Sequence, residues 1–247
     1  MKQKIEVCCF SVESAIIAEK TGADRIELCD NYYEGGTTPS YASIKLAIKE
    51  LNIPVNIIVR PRGGDFLYSD IEYKLIKEDV LIAKKLNANG IVIGFLNTDG
   101  SIDIERTKEI IEIAKPMEVT FHRAFDRCKN PLDALEQLIE LGVDRILTSG
   151  QKKTAIEGID LLSELVKKAN NRIIIMPGSG INDKNISKLI TKTKAIEYHS
   201  SAKMFKLSKM DYINSSFYND SEIKYANKTI FVDEDKLKKM INQLTVL

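Results

Sequence analysis

The stretch that decides the fold is Met117-Glu118-Val119-Thr120-Phe121-His122-Arg123-Ala124-Phe125-Asp126. It begins as a short run rich in apolar residues, which predicts a buried β-strand. Three ionisable side chains, His122, Arg123 and Asp126, follow where that strand ends. His199, the other of the chain's two histidines, ends a second run of the same kind. The pattern predicts a single site that is assembled from the ends of several strands.

Eight strand-like segments of this type alternate with helix-like segments along the chain. The predicted strands are residues 5–10, 25–29, 55–60, 90–95, 117–122, 145–148, 172–176 and 195–200. Strands that alternate with helices imply βαβ units and a parallel sheet. Eight units in 247 residues fit a closed barrel better than an open sheet. The sequence therefore predicts an α/β protein that is a single (β/α)8 TIM-barrel domain over residues 1–247.

The end of the chain departs from this repeat. Residues 206–230 are polar and have no clear period, so we expect a long loop there. A last helix is predicted over residues 233–244.

Charge and cysteine usage exclude several classes of protein. The net charge is +1, so no overall field would steer the protein to nucleic acid or to a membrane surface. No apolar run is long enough to cross a bilayer. The four cysteines show neither a C-x-x-C pair nor a zinc-finger spacing. The chain enters a predicted strand almost at once, so we expect no signal peptide. We therefore expect a cytoplasmic protein with reduced thiols.

Alternation within the strands predicts which side chains point into the barrel. Glu6, Glu27 and Glu197 alternate with apolar residues that must pack on helices, so these carboxylates should face inward. A buried carboxylate must be paired, protonated or bound to a metal. The candidate cations are Arg60, Arg25 and Arg145. The alternative to a functional site is a layer of ion pairs that only fills the barrel interior.

The carboxyl ends of the strands are where barrel enzymes keep their chemistry. The polar residues that we predict there are Cys8, Cys29, Arg60, Arg62, His122, Arg123, Asp126, Ser149 and His199. The turn Gly178 to Gly180 follows the seventh strand and opens a helix, where backbone N–H groups favour an anion. Arg60 and Arg62 offer planar donors that suit carboxylate or phosphate. Short glycine turns and arginine surface pairs are also common, so an ordinary structural role stays open for each.

The thiols of Cys8 and Cys29 should point inward from neighbouring strands, near the mouth of the barrel. Two thiols in that position could bind a soft ion such as Cu(I). The alternative is that each cysteine is a small buried hydrophobe. No lysine is predicted in the barrel strands or at their ends, unless Lys203 or Lys152 folds back from a loop. This argues against a Schiff-base aldolase, and no organic cofactor is indicated.

From residue 5 to about residue 205 the chain resembles the CutC family, which is named for copper homeostasis. The matching stretches are Glu6-Val7-Cys8, residues 11–15, 22–29, 34–40, 60–66, 120–126, 147–150, 176–180 and 197–202. The resemblance implies a (β/α)8 barrel, a cytoplasmic location, and a homo-oligomer that is a dimer or tetramer. It also implies Cu(I) binding through two inward cysteines, which match Cys8 and Cys29. The chain differs from the family after residue 205.

Two functional hypotheses follow from these observations. The first is a copper homeostasis protein that binds Cu(I) through Cys8 and Cys29. The second is a barrel enzyme for a small anionic or phosphorylated metabolite, with His122 as acid/base, Asp126 as its orienting partner and Glu27 as a second carboxylate. Ligand contacts are predicted for Glu6, Arg60, Arg62, Arg123, Ser149, Gly178, Gly180 and His199. A third possibility, an interaction scaffold, would need no filled pocket.

Overall fold

The computed structural model describes residues 3–212, 214 and 228–245. Eight parallel strands form the barrel. They are β1 (Lys4–Cys9), β2 (Arg25–Leu28), β3 (Val55–Ile58), β4 (Gly90–Ile93), β5 (Glu118–Phe121), β6 (Arg145–Thr148), β7 (Ile174–Pro177) and β8 (Glu197–Ser200). Hydrogen bonds join neighbours in the order β7-β6-β5-β4-β3-β2-β1-β8, and β7 and β8 contact each other to complete the ring. The predicted (β/α)8 barrel is confirmed.

Helices connect the strands and cover the outside of the barrel. They are α1 (Val12–Thr21), α2 (Tyr41–Glu50), α3 (Asp70–Lys85), α4 (Ile104–Ala114), α5 (Pro131–Glu140), α6 (Ile159–Ala169) and α7 (Ile186–Thr193). Short 3-10 turns at Tyr32–Glu34 and Arg123–Arg127 follow β2 and β5 at the mouth. None of the described helices is both long and apolar enough to cross a membrane.

Serine side chains cap the starts of three helices. Ser11, Ser40 and Ser69 each accept a hydrogen bond from the third following backbone N–H, at the starts of α1, α2 and α3. At Ser69 the side chain of Glu72 bonds back to the serine N–H, which completes a capping box. These caps stabilise the points at which α1, α2 and α3 begin, after the strand ends at the barrel mouth.

The hydrophobic core lies between the strands and the helices. The outward-facing strand residues Ile5, Val7, Ile26, Ile57 and Ile91 are completely buried against the helices. The alternate strand positions are therefore left to face the barrel interior, as the strand pattern predicts. That interior holds the polar residues from which the site is built.

The tail differs from its prediction. Strands β9 (Lys203–Leu207) and β10 (Lys228–Val232) pair as an antiparallel hairpin, so residues 206–207 and 228–230 are strand and not loop. The run Thr229-Ile230-Phe231-Val232 is rich in β-branched and aromatic residues, and the surrounding lysines masked that signal. Helix α8 (Glu234–Thr245) follows where a helix over 233–244 was predicted, and it packs on α1. Residues 213 and 215–227 of the predicted loop lie outside the described residues.

Candidate functional site

The deepest polar residues in the barrel form a lower ionic layer, which consists of Glu6, Arg25, Arg145 and Glu197. Arg25 donates from Nε to Glu6 at 2.5 Å and from Nη2 to Glu197 at 2.6 Å. Arg145 donates from Nε to Glu197 at 2.7 Å. Strand pairing builds this layer, because Glu6 lies directly beside Arg25 on β2. The cations of the interior are therefore Arg25 and Arg145, and the suggestion that Arg60 fills this role is wrong.

The two carboxylates of this layer are ionised. Burial opposes the charge on Glu6, but Arg25 and His199 outweigh it and lower its pKa to about 2. Burial also opposes the charge on Glu197, but Arg145 and Arg25 hold its pKa below the usual value. Every charge in the layer therefore has a partner, and the layer has no group left to offer to a ligand.

His199 connects this layer to the residues above it. Its Nδ1 lies 2.8 Å from Glu6 Oε1, and its Nε2 lies 3.5 Å from Glu27 Oε2. Burial alone would lower the pKa of His199, but bonding to Cys8 and Glu6 and the neighbouring carboxylate charge raise it well above its usual value. We conclude that His199 is an imidazolium at neutral pH.

A thiol layer, which consists of Cys8, Cys29 and Glu27, lies above His199 at the mouth. Cys8 and Cys29 are both free and buried, and their Sγ atoms are 3.4 Å apart. The hydrogen bond from Cys29, helped by His199, lowers the pKa of Cys8 to about 6. Burial and the bond to Cys8 raise the pKa of Cys29 well above its usual value. At neutral pH the pair is therefore one thiolate that accepts a hydrogen bond from one thiol.

Glu27 lies beside this pair. Burial and the charge on Cys8 raise the pKa of Glu27 well above its usual value. Ligand atoms of Cys8, Glu27 and His199 all lie within 4.8 Å of one another, which is a spacing that could hold a metal ion. These three groups offer one sulfur, one carboxyl oxygen and one imidazole nitrogen, and His199 would have to lose its proton before its nitrogen could bind a metal.

His122 lies across the barrel mouth from the thiol layer, and its surroundings do not match the predicted acid/base pair with Asp126. Its Nδ1 accepts a hydrogen bond from the backbone N–H of Ala124 at 3.1 Å. Burial, together with the charges of Arg60 and Arg123, lowers its pKa to about 3. The imidazole is therefore neutral near pH 7, and its low basicity argues against a general base.

Asp126 is turned away from His122 and ties two loops together. It accepts hydrogen bonds from Arg123 Nε at 2.7 Å, Thr148 Oγ1 at 2.6 Å and Ser149 Oγ at 2.9 Å. The reason is the 3-10 turn after β5, which carries Asp126 over the end of β6. The orienting role predicted for Asp126 is therefore wrong, and its observed role, with Ser149, is to position Arg123 at the mouth.

The two arginines of the predicted anion clamp have different surroundings. Arg60 is buried and donates to the carbonyl oxygens of Glu34 at 2.7 Å, Gly36 at 2.9 Å and Gly64 at 3.2 Å. It thereby holds the loops after β2 and β3 against each other. Arg62 instead pairs with Glu72 at 2.5 Å, on helix α3 and outside the barrel mouth. The geometry does not bring Arg62 to the site.

The turn after β7 contributes in two ways. A Cβ at Gly178 would approach Leu147 Cδ1 to 2.4 Å and His199 Cβ to 3.4 Å, so glycine allows this turn to pack behind His199. Gly180 has a φ of +71° and lines the outer part of the mouth. Ligand contacts were predicted for both glycines. Gly180 is placed where it could make one, whereas Gly178 has a packing role.

Two connected cavities open at the mouth. The inner cavity, of about 110 Å³, is lined by Cys8, Cys29, Glu27, Arg60, His122 and His199, among others. The outer cavity, of about 600 Å³, shares Cys8, Arg123 and His199 with the inner one. Glu6 lies below both cavities, in the lower ionic layer. The structure thus brings most of the predicted site residues together at one place.

Phe66 and Lys236 are among the cavity residues that the sequence reasoning missed, whereas Lys203 was considered only as a lysine that could fold back from a loop. Phe66 lines the inner cavity, where its ring centroid is 4.8 Å from that of His122. It ends the arginine–glycine loop after β3, so its position in that motif was an available signal. Lys203 and Lys236 line the outer cavity. They are far apart in sequence and meet only because β10 and α8 fold back, so no local pattern could have found them.

The fold and the site together define a class of protein, a (β/α)8 barrel with a buried pair of thiols at its mouth. The chain belongs to the CutC family, whose sequence profile matches residues 3–204. It is 50% identical to a family protein CutC of Parabacteroides distasonis, over 98% of this chain and all of that one. It is 48% identical to the human copper homeostasis protein cutC homolog, over 86% of this chain and 78% of that one.

Solved structures agree with this assignment. The crystal structure of CutC from Streptococcus agalactiae superposes with a TM-score of 0.77 at 35% identity, covering 81% of this chain and 98% of that one. A phosphoribosylanthranilate isomerase from Thermotoga maritima superposes with a TM-score of 0.60 over 99% of this chain and 100% of that one, but at 13% identity. The second likeness reflects the barrel fold alone.

Proposed function

We propose that this protein binds Cu(I) through Cys8 and Cys29 and acts in copper homeostasis. The observation that carries the proposal is the pair of buried sulfur atoms 3.4 Å apart at the barrel mouth. Soft thiolate ligands favour Cu(I) over harder ions. Relatives from human and mouse that carry the name copper homeostasis protein cutC homolog support the same assignment.

The protonation of the pair also supports metal binding. The thiolate is the form of cysteine that binds metals, and the low pKa of Cys8, about 6, supplies it at neutral pH. His199 stabilises this charge before any metal arrives. Binding then has to displace one thiol proton, that of Cys29.

The separation of the sulfur atoms defines what binding would require. With metal–sulfur bonds of about 2.3 Å, as in zinc sites, two sulfur atoms on opposite sides of an ion lie about 4.6 Å apart. The observed distance is 3.4 Å. A linear site would therefore need the two side chains to move apart by roughly 1 Å, whereas a bent site would fit with little motion.

The test is a Cu(I) titration of the fully reduced protein against a competing chelator. The variant Cys8→Ser/Cys29→Ser should bind Cu(I) more than about 100-fold more weakly, since losing outer-shell groups alone costs 10- to 100-fold. Cys9→Ser and Cys128→Ser are matched controls, because both thiols are also buried but neither lines the inner cavity. Unchanged affinity in the double variant would refute the proposal.

We also propose that the protein works in the cytoplasm as a homo-oligomer, a dimer or tetramer. A reducing compartment would keep the thiol pair free. The hairpin strand β9 exposes Met204, Phe205 and Leu207, an apolar surface that a second copy could cover. Light scattering on the purified protein tests the oligomeric state, and a monomer at micromolar concentration would contradict it.

A further inference from the structure

The outer cavity is lined by a group of cations to which the copper proposal gives no role. They come from four different segments of the chain: Arg123 from the turn after β5, Lys184 from the loop before α7, Lys203 from the start of β9 and Lys236 from α8. One carboxylate, Asp183, belongs to the same lining. Positive charge is therefore in excess on the wall of this cavity.

Two of these cations, Lys203 and Lys236, are held next to each other. Lys236 Nζ donates to the backbone oxygen of Lys203 at 3.0 Å, and its carboxylate partner is Asp233 at 3.3 Å. Lys203 Nζ contacts the hydroxyl of Tyr32 and lies 4.4 Å from the centroid of that ring. Among the described residues Lys203 has no carboxylate partner, and burial together with the charge of Lys236 lowers its pKa. An anion placed between the two ammonium groups would relieve their repulsion.

The cationic side chains are accessible to a ligand. Those of Arg123 and Lys236 are each 42% exposed. Asp126 and Ser149 accept hydrogen bonds from Nε and Nη2 of Arg123, which holds the guanidinium at the cavity wall without covering it. A ligand in the outer cavity can therefore contact donors that solvent already reaches.

The lysine pair lies on the outer side of the thiol layer. Lys203 and Lys236 line the outer cavity and do not belong to the lining of the inner one. Cys8 and His199 border both cavities, and because the thiolate and the imidazolium have opposite charges, together they leave the excess of positive charge in place. An anion at the lysine pair thus needs neither sulfur atom.

We propose that the outer cavity binds a small phosphate monoester, with its phosphate group between Lys203 and Lys236. A phosphate monoester carries about −1.5 to −2 charges at neutral pH and offers three strong acceptor oxygens. Lysine binds phosphate as a point charge, so two ammonium groups from different elements suit a tetrahedral group. The loops after β7 and β8 border the cavity through Gly180 and Ser201, and (β/α)8 barrels often bind phosphate at that place.

The rest of the cavity wall favours an organic ester over free phosphate. Phe10 and Tyr32 pack edge to face with ring centroids 5.2 Å apart, and Ile181 and Ala202 line the same cavity. The volume of about 600 Å³ is typical of a small-molecule site. These apolar groups would contact the carbon skeleton of an ester, which inorganic phosphate lacks.

Part of the site comes from outside the segment that the family profile matches. The profile covers residues 3–204, whereas Lys236 is on α8. The β9–β10 hairpin brings this helix back to the barrel mouth. The end of the chain thus completes an anion site, which is a role beyond packing on α1.

The test is calorimetric titration of the metal-free, reduced protein at constant ionic strength. The ligands are glycerol 3-phosphate, ribose 5-phosphate and phenyl phosphate, and separately inorganic phosphate and acetate. At least one ester should bind about 10-fold or more tightly than either simple anion, because it also buries apolar surface. Binding of no ester, or binding of a simple anion as tight as that of the best ester, would overturn the proposal.

Two substitutions in the site have matched controls on the same elements. Lys203→Gln and Lys236→Gln each remove one charged donor, so affinity for the best ester should fall about 10-fold or more. Lys206→Gln on β9 and Lys238→Gln on α8 remove the same charge outside the cavity and should stay within about threefold of the wild type. A loss that is no larger in the site variants than in the controls would overturn the proposal.

Acetylation of the wild-type protein tests the contact without any substitution. A saturating concentration of the best ester should slow the acetylation of Lys203 and Lys236 about threefold or more, as measured by mass spectrometry, with Lys206 and Lys238 as internal references. Equal slowing at all four lysines, or none, would overturn the proposal. Every measurement uses metal-free protein, so this proposal and the copper proposal can fail independently.

Discussion

The lower ionic layer and the thiol layer occupy the same barrel interior but have opposite chemical characters. Their β1 residues, Glu6 and Cys8, are only two positions apart and face the same side of the strand. In the lower layer each carboxylate has an arginine partner within 2.7 Å. In the thiol layer a thiolate, a thiol and a carboxyl group with a raised pKa meet next to a cavity. Ion pairs stabilise the lower ionic layer. In the thiol layer the groups are not fully paired, so they remain available to bind a ligand.

The two histidines teach the same lesson. His122 directly follows β5, His199 lies within the last two residues of β8, and both are buried. Burial opposes the charge on both rings. At His199 the bonds to Cys8 and Glu6 outweigh burial and raise the pKa, whereas at His122 burial and the charges of Arg60 and Arg123 lower the pKa to about 3. The same residue type at equivalent places in the fold thus carries a charge in one case and none in the other.

The largest expected effect comes from breaking the lower layer at Arg25. Arg25→Met removes the partner shared by Glu6 and Glu197, which leaves Glu6 with His199 and Glu197 with Arg145 as the remaining partners. Breaking a buried pair in this way typically costs about 3–5 kcal/mol of unfolding free energy. Urea denaturation measures it, and a loss below about 1 kcal/mol would mean that the layer contributes little.

Arg172→Met is the matched control for that substitution. Arg172 forms a bidentate pair with Glu136 at 2.7 Å, but both side chains are about half exposed to solvent. Exposed pairs contribute little because water and salt screen them. The urea midpoint should therefore change far less than for Arg25→Met, and an equal change would contradict the role given to burial.

A smaller effect is expected on the way the free energy of unfolding changes with pH. It comes from the ionisation of Glu6. Its pKa is about 2 in the folded protein against a usual 4.5. The ionised Glu6 therefore contributes on the order of 3 kcal/mol to the free energy of unfolding. This contribution is fully present above pH 4.5 and is lost as the pH falls toward 2. Glu6→Gln should therefore destabilise the protein more at pH 6 than at pH 3. A penalty that is equal at both pH values would contradict this.

The smallest effect concerns the charge next to the thiolate. His199→Gln removes the imidazolium that stabilises Cys8, so the pKa of Cys8 should rise from about 6 toward its usual value of 9.0. The rate of thiol alkylation against pH measures it, in a Cys9→Ala/Cys128→Ser background that leaves two thiols. If the pKa of Cys8 did not change in this variant, its low value would come from the hydrogen bond with Cys29 and not from His199.

Sequence periodicity predicted most of this architecture. The eight strands follow from short branched runs, and alternation placed Glu6, Glu27, Cys8 and Cys29 inside the barrel. What it could not give was strand register, because the Glu6–Arg25 pair depends on which residues lie side by side in β1 and β2. Without register, the interior cations could not be chosen among three arginines.

The remaining errors have local causes. The direction of Asp126 depends on a 3-10 turn, and a four-residue separation from His122 does not encode it. The basic residues of the outer cavity depend on the β9–β10 hairpin, which a lysine-rich composition concealed. In both cases the deciding interaction is a backbone conformation or a distant contact, to which hydrophobic periodicity is insensitive.

The most direct test of the contrast between the layers is the Cu(I) affinity of the reduced protein as a function of pH. Because Cys8 is already a thiolate and Cys29 is not, binding should release about one proton between pH 6.5 and 8. The account predicts an affinity that rises about tenfold per pH unit in that window. A rise of about 100-fold per unit would mean that Cys8 also keeps its proton, and would contradict the account.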